Sequence, residues 1–138
     1  MKRFICIMLV VVTVFACTTP VLAATEEPPI TPRYSYIEGI QSSLSIDETT
    51  GLAMCHSSTY AIGGSSIKLT CTLQRKNGSS WSTVYSWSKT ASQNAVINRS
   101  YGVYSGYTYR VKAVCSVYNS SGRVVETGTV YSSQVTYN

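Results

Sequence analysis

The chain has one histidine, His56, and one aspartate, Asp47. A Ser-His-Asp relay needs both, with the carboxylate holding the imidazole in place. Asp47 falls in the turn-forming run Asp47-Glu48-Thr49-Thr50-Gly51, and the alternation around His56 points it outward beside Met54. Acid and base catalysis by two carboxylates needs a pair converging across a cleft. The five glutamates are spread over Glu26, Glu27, Glu38, Glu48 and Glu126, with no sign of convergence. Asp47 and Glu48 alone are too few for calcium, and no cysteine or histidine pair has the spacing of a zinc site. The expectation is a non-enzymatic chain without a metal or cofactor.

Aromatic and cationic side chains are the stronger chemical signal. Eleven tyrosines and two tryptophans are present. Trp81, Thr83, Tyr85 and Trp87 share one parity while Val84 has the other, which makes one side of that strand a Trp/Tyr row unless a bulge intervenes. One reading buries a tryptophan in the core. The other puts Tyr85, Tyr118 and Trp81 on an outer sheet face with Lys68, Arg110 and Lys112, a flat array of rings, hydroxyls and cations suited to stacking on sugars or docking a protein. Tyr109, Tyr131 and Tyr137 are expected inward.

The charge is modest and dispersed. Nine bases beyond residue 23 stand against six acids, a net charge of +3 for that part of the chain. The bases come one per strand or turn, whereas a nucleic-acid site needs a basic stripe. Nucleic acid is therefore excluded as an expected partner, and weak attraction to an anionic cell wall is compatible.

The elements that must hold these residues are strands. Residues 1–23 read as a signal peptide: Lys2 and Arg3, an apolar run too short to span a bilayer, then Val21-Leu22-Ala23. Cys17 offers an alternative, lipid-anchored ending. Residues 24–33, rich in proline, read as a disordered lead, and 34–138 as one domain. Period-two alternation predicts seven strands at about Ile40–Asp47, Leu52–Tyr60, Ile67–Arg75, Trp81–Lys89, Ala95–Tyr101, Tyr107–Tyr118 and Arg123–Tyr137. The last is expected to bulge at Gly128, and Asn77-Gly78 marks a tight hairpin.

Gly106-Tyr107-Thr108-Tyr109-Arg110-Val111-Lys112-Ala113 resembles the sixth strand of immunoglobulin and fibronectin type III domains, which opens with a tyrosine tying down the preceding corner. Leu73-Gln74-Arg75-Lys76, Trp81-Ser82-Thr83-Val84 and Trp87, with the Tyr-Arg-Val-Lys-Ala run, are similar to a family of small exported Gram-positive proteins with no known activity. The resemblance implies a seven-stranded antiparallel immunoglobulin/fibronectin III-like sandwich. It also suggests an inter-sheet bridge between Cys55 and Cys115. Cys71 with Cys115, or three unbonded core thiols, are the alternatives. The functional expectation is a secreted binding or adhesion module for a cell-wall or host glycan or a surface protein. Its rival is a self-assembling structural protein, a homo-oligomer joined through sheet edges or a leftover thiol.

Overall fold

The computed structural model describes residues 34–138. The signal-peptide reading of 1–23, the lead 24–33 and the lipid-anchor alternative at Cys17 lie outside the described residues.

Strict alternation of apolar and polar side chains gives β1 (Ile37–Asp47), β2 (Leu52–Ala61), β3 (Ser66–Asn77), β4 (Ser80–Ala91), β5 (Asn94–Gly102), β6 (Tyr107–Tyr118), β7 (Val124–Tyr131) and β8 (Val135–Tyr137). They form two antiparallel sheets, one in the order β1-β2-β5 and the other β4-β3-β6-β7, with β8 continuing on β6. The result is an all-β sandwich, compatible with an immunoglobulin or fibronectin III-like fold.

The core lies between the inner faces of β3 and β6 and that of β2. Ile67, Leu69, Cys71 and Leu73 from β3 and Tyr109, Val111, Ala113, Cys115 and Val117 from β6 are all 1 % exposed or less. Opposite them β2 offers only small groups, Ala53, Cys55, Ser57, Thr59 and Ala61. Large residues on one sheet therefore meet small ones on the other, which is how two pleated faces interdigitate without voids. Burying each large aliphatic contributes about 1.5–3 kcal/mol relative to leaving it in water.

The turns obey their local chemistry. The β3–β4 hairpin is centred one residue later than expected. Asn77 pairs with Ser80, so Gly78 and Ser79 form the loop, and of these only Gly78 has positive φ, at 61°. Glycine at the first loop position is the requirement of a type II′ turn. In the β6–β7 turn, Asn119 Oδ1 accepts N–H bonds from Ser121 and Arg123, at 3.0 Å each. At the β5–β6 corner the hydroxyl of Tyr109 donates to the carbonyl of Tyr104 at 2.8 Å and accepts its N–H at 3.2 Å. This is the corner tie that the tyrosine-rich opening of the strand implied.

The last strand departs from expectation. It breaks at Ser132–Gln134 into β7 and β8, giving eight strands. Ser132 takes over both ladder bonds of Val111: its N–H donates to the Val111 carbonyl and its Oγ accepts the Val111 N–H, each at 2.9 Å. Gly128 is not a bulge but pairs regularly with Cys115; the register shift falls around Val125. A Cβ at Gly128 would stand 2.6 Å from Ile40 Cδ1 and 3.1 Å from Ile37 Cδ1, so the glycine makes room for β1 crossing above it.

Glu126 fastens that crossing. Its carboxylate accepts the N–H groups of Ser35, Tyr36 and Ile37 at 2.6, 2.9 and 2.7 Å. Burial pushes the carboxyl up, but the three donors outweigh it and hold it below its ordinary value. A depressed folded pKa stabilises fully above the unfolded value and less as pH falls through the folded one. The urea midpoint is therefore expected to drop as pH is taken below about 4.5. Glu126→Gln should lower the midpoint at neutral pH and flatten that acid limb. Some dependence should remain through Asp47, whose carboxyl is held down first by the Thr49 N–H.

Candidate functional site

A bulge in β4 decides which side chains share a surface. Tyr85 pairs with Leu73 and Thr83 with Gln74, leaving Val84 as the extra residue. Parity therefore inverts across Val84. Tyr85 and Trp87 sit opposite the inward residues Leu73 and Cys71, whereas Trp81 sits opposite outward-facing Lys76. The Trp/Tyr row read from alternation is split into two clusters.

On the inner side, at the margin of the sandwich, Tyr85 lies 4.9 Å from Trp87 and 5.1 Å from Tyr101 of β5 between ring centroids. These rings close the gap between the edge strands β4 and β5. The expectation that Tyr85 joins the outer face is corrected by the bulge, although the ring remains 46 % exposed at the sheet margin.

On the outer face of the β4-β3-β6-β7 sheet, the Arg110 guanidinium carbon is 4.1 Å from the Trp81 ring centroid and 4.2 Å from that of Tyr131. Its Nε donates to Gln74 Oε1 at 2.9 Å. The cation is thus in contact with two rings, one from β4 and one from β7, and its rotation is restricted by the glutamine. Tyr131 was expected inward; it pairs with outward Lys112 and is 49 % exposed. Lys112 stands two residues from Arg110 on β6, about 7 Å along the strand. Lys76 is paired with Trp81 across β3 and β4.

The two other predicted residues share this face but not this cluster. Tyr118 is paired with Ser66 and Val124, and Lys68 with Thr90 and Ser116. At about 3.3 Å per residue, Tyr118 lies about 26 Å and Lys68 about 20 Å along the sheet from Arg110. Gln74, Lys76 and Tyr131 were missed. Gln74 and Lys76 follow from the alternation of β3 once Trp81 is known to face outward, but Tyr131 needs the β6–β7 register. Hydroxyl pairs cover the rest of the face: Thr72 with Ser86 at 2.9 Å, Thr108 with Thr136 at 2.9 Å and Ser116 with Thr127 at 3.4 Å.

No acid of the described residues belongs to this surface. Glu38 and Asp47 lie on β1, Glu48 in the following turn, and Glu126 opposite inward Val117, holding the start of β1. Lys68, Lys76, Arg110 and Lys112 all face outward there.

The opposite sheet carries the histidine. His56 pairs with Asn98 on the outer face of β1-β2-β5, and its Nδ1 shares a hydrogen bond with Asn98 Oδ1. Ser43, Ser45, Met54 and Ser100 complete a shallow open depression around it. The imidazole partner is an amide, not the carboxylate that would stabilise an imidazolium. Among the described residues, no three His, Cys, Asp or Glu side chains gather as a metal ion requires.

Cys55, Cys71 and Cys115 are free and buried, and the expected Cys55–Cys115 bridge is not formed. Cys115 faces the hydroxyl of Thr59. That residue is four along β2 from Cys55, about 13 Å at strand rise, whereas a disulfide spans roughly 4.4–6.8 Å between Cα atoms. Cys71 and Cys115 stand diagonally across β3 and β6, since Cys71 pairs with Ala113 and Cys115 with Leu69. Diagonal neighbours are about 7–8 Å apart, too far for a bridge without movement. Cys71, on the facing sheet, is close enough to Cys55 to act on its thiol. Burial pushes the Cys55 thiol up to about 12, and Cys71 adds to the rise. Burial likewise raises Cys71 and Cys115, opposed by the hydroxyls of Ser57 and Thr59. The thiolate, which is the reactive form, is thus suppressed at neutral pH. Ser57 Oγ, against Cys71, has no well-formed hydrogen bond of its own.

No protein-family model matches the chain, and no curated protein matches it either. Fold and site define an all-β sandwich with a cationic, aromatic-clamped outer sheet face.

Proposed function

We propose that this chain is a non-catalytic extracellular binding module of immunoglobulin/fibronectin III-like architecture, and that it binds through the outer face of the β4-β3-β6-β7 sheet. The Trp81–Arg110–Tyr131 stack, with ring-to-cation distances of 4.1 and 4.2 Å, carries this reading. Two large aromatic side chains and an arginine are held in fixed geometry on a surface, and such residues dominate binding hot spots. The signal-peptide pattern of residues 1–23 supports export, and the spread of acids and the lone histidine support a binding rather than catalytic role. The likeness to small exported Gram-positive proteins is in keeping with this and adds no ligand.

The test is binding of the purified protein to arrayed glycans, wall polymers and extracellular proteins. Saturable binding is expected, lost in Trp81→Ala and Arg110→Ala and kept in Val96→Ala on the other sheet. Binding indifferent to both outer-face changes, or no binding across the arrays, overturns the proposal. The rival reading, self-assembly, rests on β1, β4 and β5, each hydrogen-bonded on one side only. A thiol-linked form would have to draw a cysteine out of the core.

A further inference from the structure

The chemistry of the outer face also narrows what it would hold. We infer that the ligand is an anionic polysaccharide, a sugar polymer bearing carboxylate, sulfate or phosphodiester groups, held by the in-plane edge of Arg110. This rests on the binding-face reading above.

Arg110 is the centre of the argument. Its guanidinium rests against the rings of Trp81 and Tyr131, and Gln74 takes Nε. Among the described residues Nη1 and Nη2 have no hydrogen-bond partner, so what remains is a planar fork of unpaired N–H donors. Such a fork matches the paired oxygens of a carboxylate, sulfate or phosphate. The clamp also removes in advance most of the rotamer entropy that an arginine loses on binding.

Charge points the same way. Lys76 and Lys112 flank the stack, Lys68 lies further along, and no described acid is on this face to neutralise them. A surface left uncompensated in this way attracts polyanions over a Debye length of about 8 Å at physiological salt.

Two features favour a sugar polymer over an acidic protein or nucleic acid. Paired hydroxyls such as Thr72–Ser86 present donors and acceptors at the spacing of the sheet, matching a hydroxyl-rich chain better than an apolar protein core. Tyr131, with Arg110 on one side, is still 49 % exposed and has ring surface left for a sugar to stack on. The cations are single and separated, not the continuous stripe that tracks a nucleic-acid backbone.

The experiment titrates the purified protein with polygalacturonate, dextran sulfate, a phosphodiester-bearing phosphomannan, neutral dextran, poly-glutamate and single-stranded DNA at low and physiological salt. At least one of the first three is expected to bind saturably and to weaken as salt rises. Which of them binds identifies the anionic group. Arg110→Lys keeps the charge but loses the fork and the stacking, and should weaken that binding about tenfold or more. Lys112→Gln should weaken it less, and Val96→Ala on the other sheet should leave it unchanged. Salt-insensitive binding to neutral dextran that is lost in Trp81→Ala would overturn the anionic ligand and leave the binding face standing. Equal or tighter binding of poly-glutamate or DNA would replace the polysaccharide with another polyanion class. Binding indifferent to both Arg110→Lys and Trp81→Ala would overturn this inference and the face together. Far-UV circular dichroism and urea midpoints of the variants guard against misfolding.

Discussion

Leu69→Ala is expected to lower the unfolding free energy by about 2–5 kcal/mol, toward the upper end of that range. Leu69 and Leu73 are the only leucines of the described core, both 0 % exposed. Leu69 is paired with Cys115 on β6, and the facing strand β2 offers only alanine, cysteine, serine and threonine. None of these can grow into the vacated space, and the β3–β6 ladder prevents the sheet from closing over it, so the cavity persists. A domain of this size is stable by about 5–15 kcal/mol, so the single change removes a large share of the total. Urea unfolding should show a lower midpoint with an unchanged slope. A loss below about 1 kcal/mol would mean that the sandwich collapses around the gap.

Tyr109→Phe should cost about 1–3 kcal/mol, although it removes one oxygen and leaves the ring packing intact. The hydroxyl holds both the N–H and the carbonyl of Tyr104 at the β5–β6 corner. The change thus strands two backbone groups as well as deleting a bond. Burial raises the phenol's pKa above its ordinary value, so the hydroxyl is protonated and able to donate at neutral pH. Amide exchange should accelerate at Tyr104 more than in the β3–β6 ladder. A urea midpoint equal to that of the unchanged protein would show that the corner is held by packing alone.

What could be read without coordinates was local. The alternation of β3 and β6 gave the two strands that carry most of the core, because each strand has one face in the core and one in water along its whole length. The glycines at 51, 78 and 122 marked the hairpins through their need for positive φ, with values of 68, 61 and 73°. What could not be read was set by a partner strand. The placement of Trp81 and Tyr85 turned on one unpaired residue, Val84, and a bulge is a property of two strands. Tyr131 faces outward because β7 pairs with β6 through a shifted register and then stops at Ser132. Gly128 lacks a side chain because β1 passes over it, a contact about 90 residues distant in sequence. The Cys55–Cys115 bridge failed for the same reason: alternation puts a thiol inside, but only the offset between the sheets decides what it meets there. Five of the six outer-face residues read from sequence lie on that face but spread along the sheet, Tyr85 being the exception, and the cluster itself needed Gln74, Lys76 and Tyr131.

The extra residue at Val84 has an evolutionary consequence. Because β3 fixes the pairing on either side of the bulge, the composition of each face there does not depend on whether the extra residue is present. Deleting Val84 would leave a regular ladder, with Trp81 still opposite Lys76, Thr83 opposite Gln74 and Tyr85 opposite Leu73. Related chains can therefore lose a single residue at this point and keep both the outer surface and the core, which makes Val84 the place on β4 where length is free to vary.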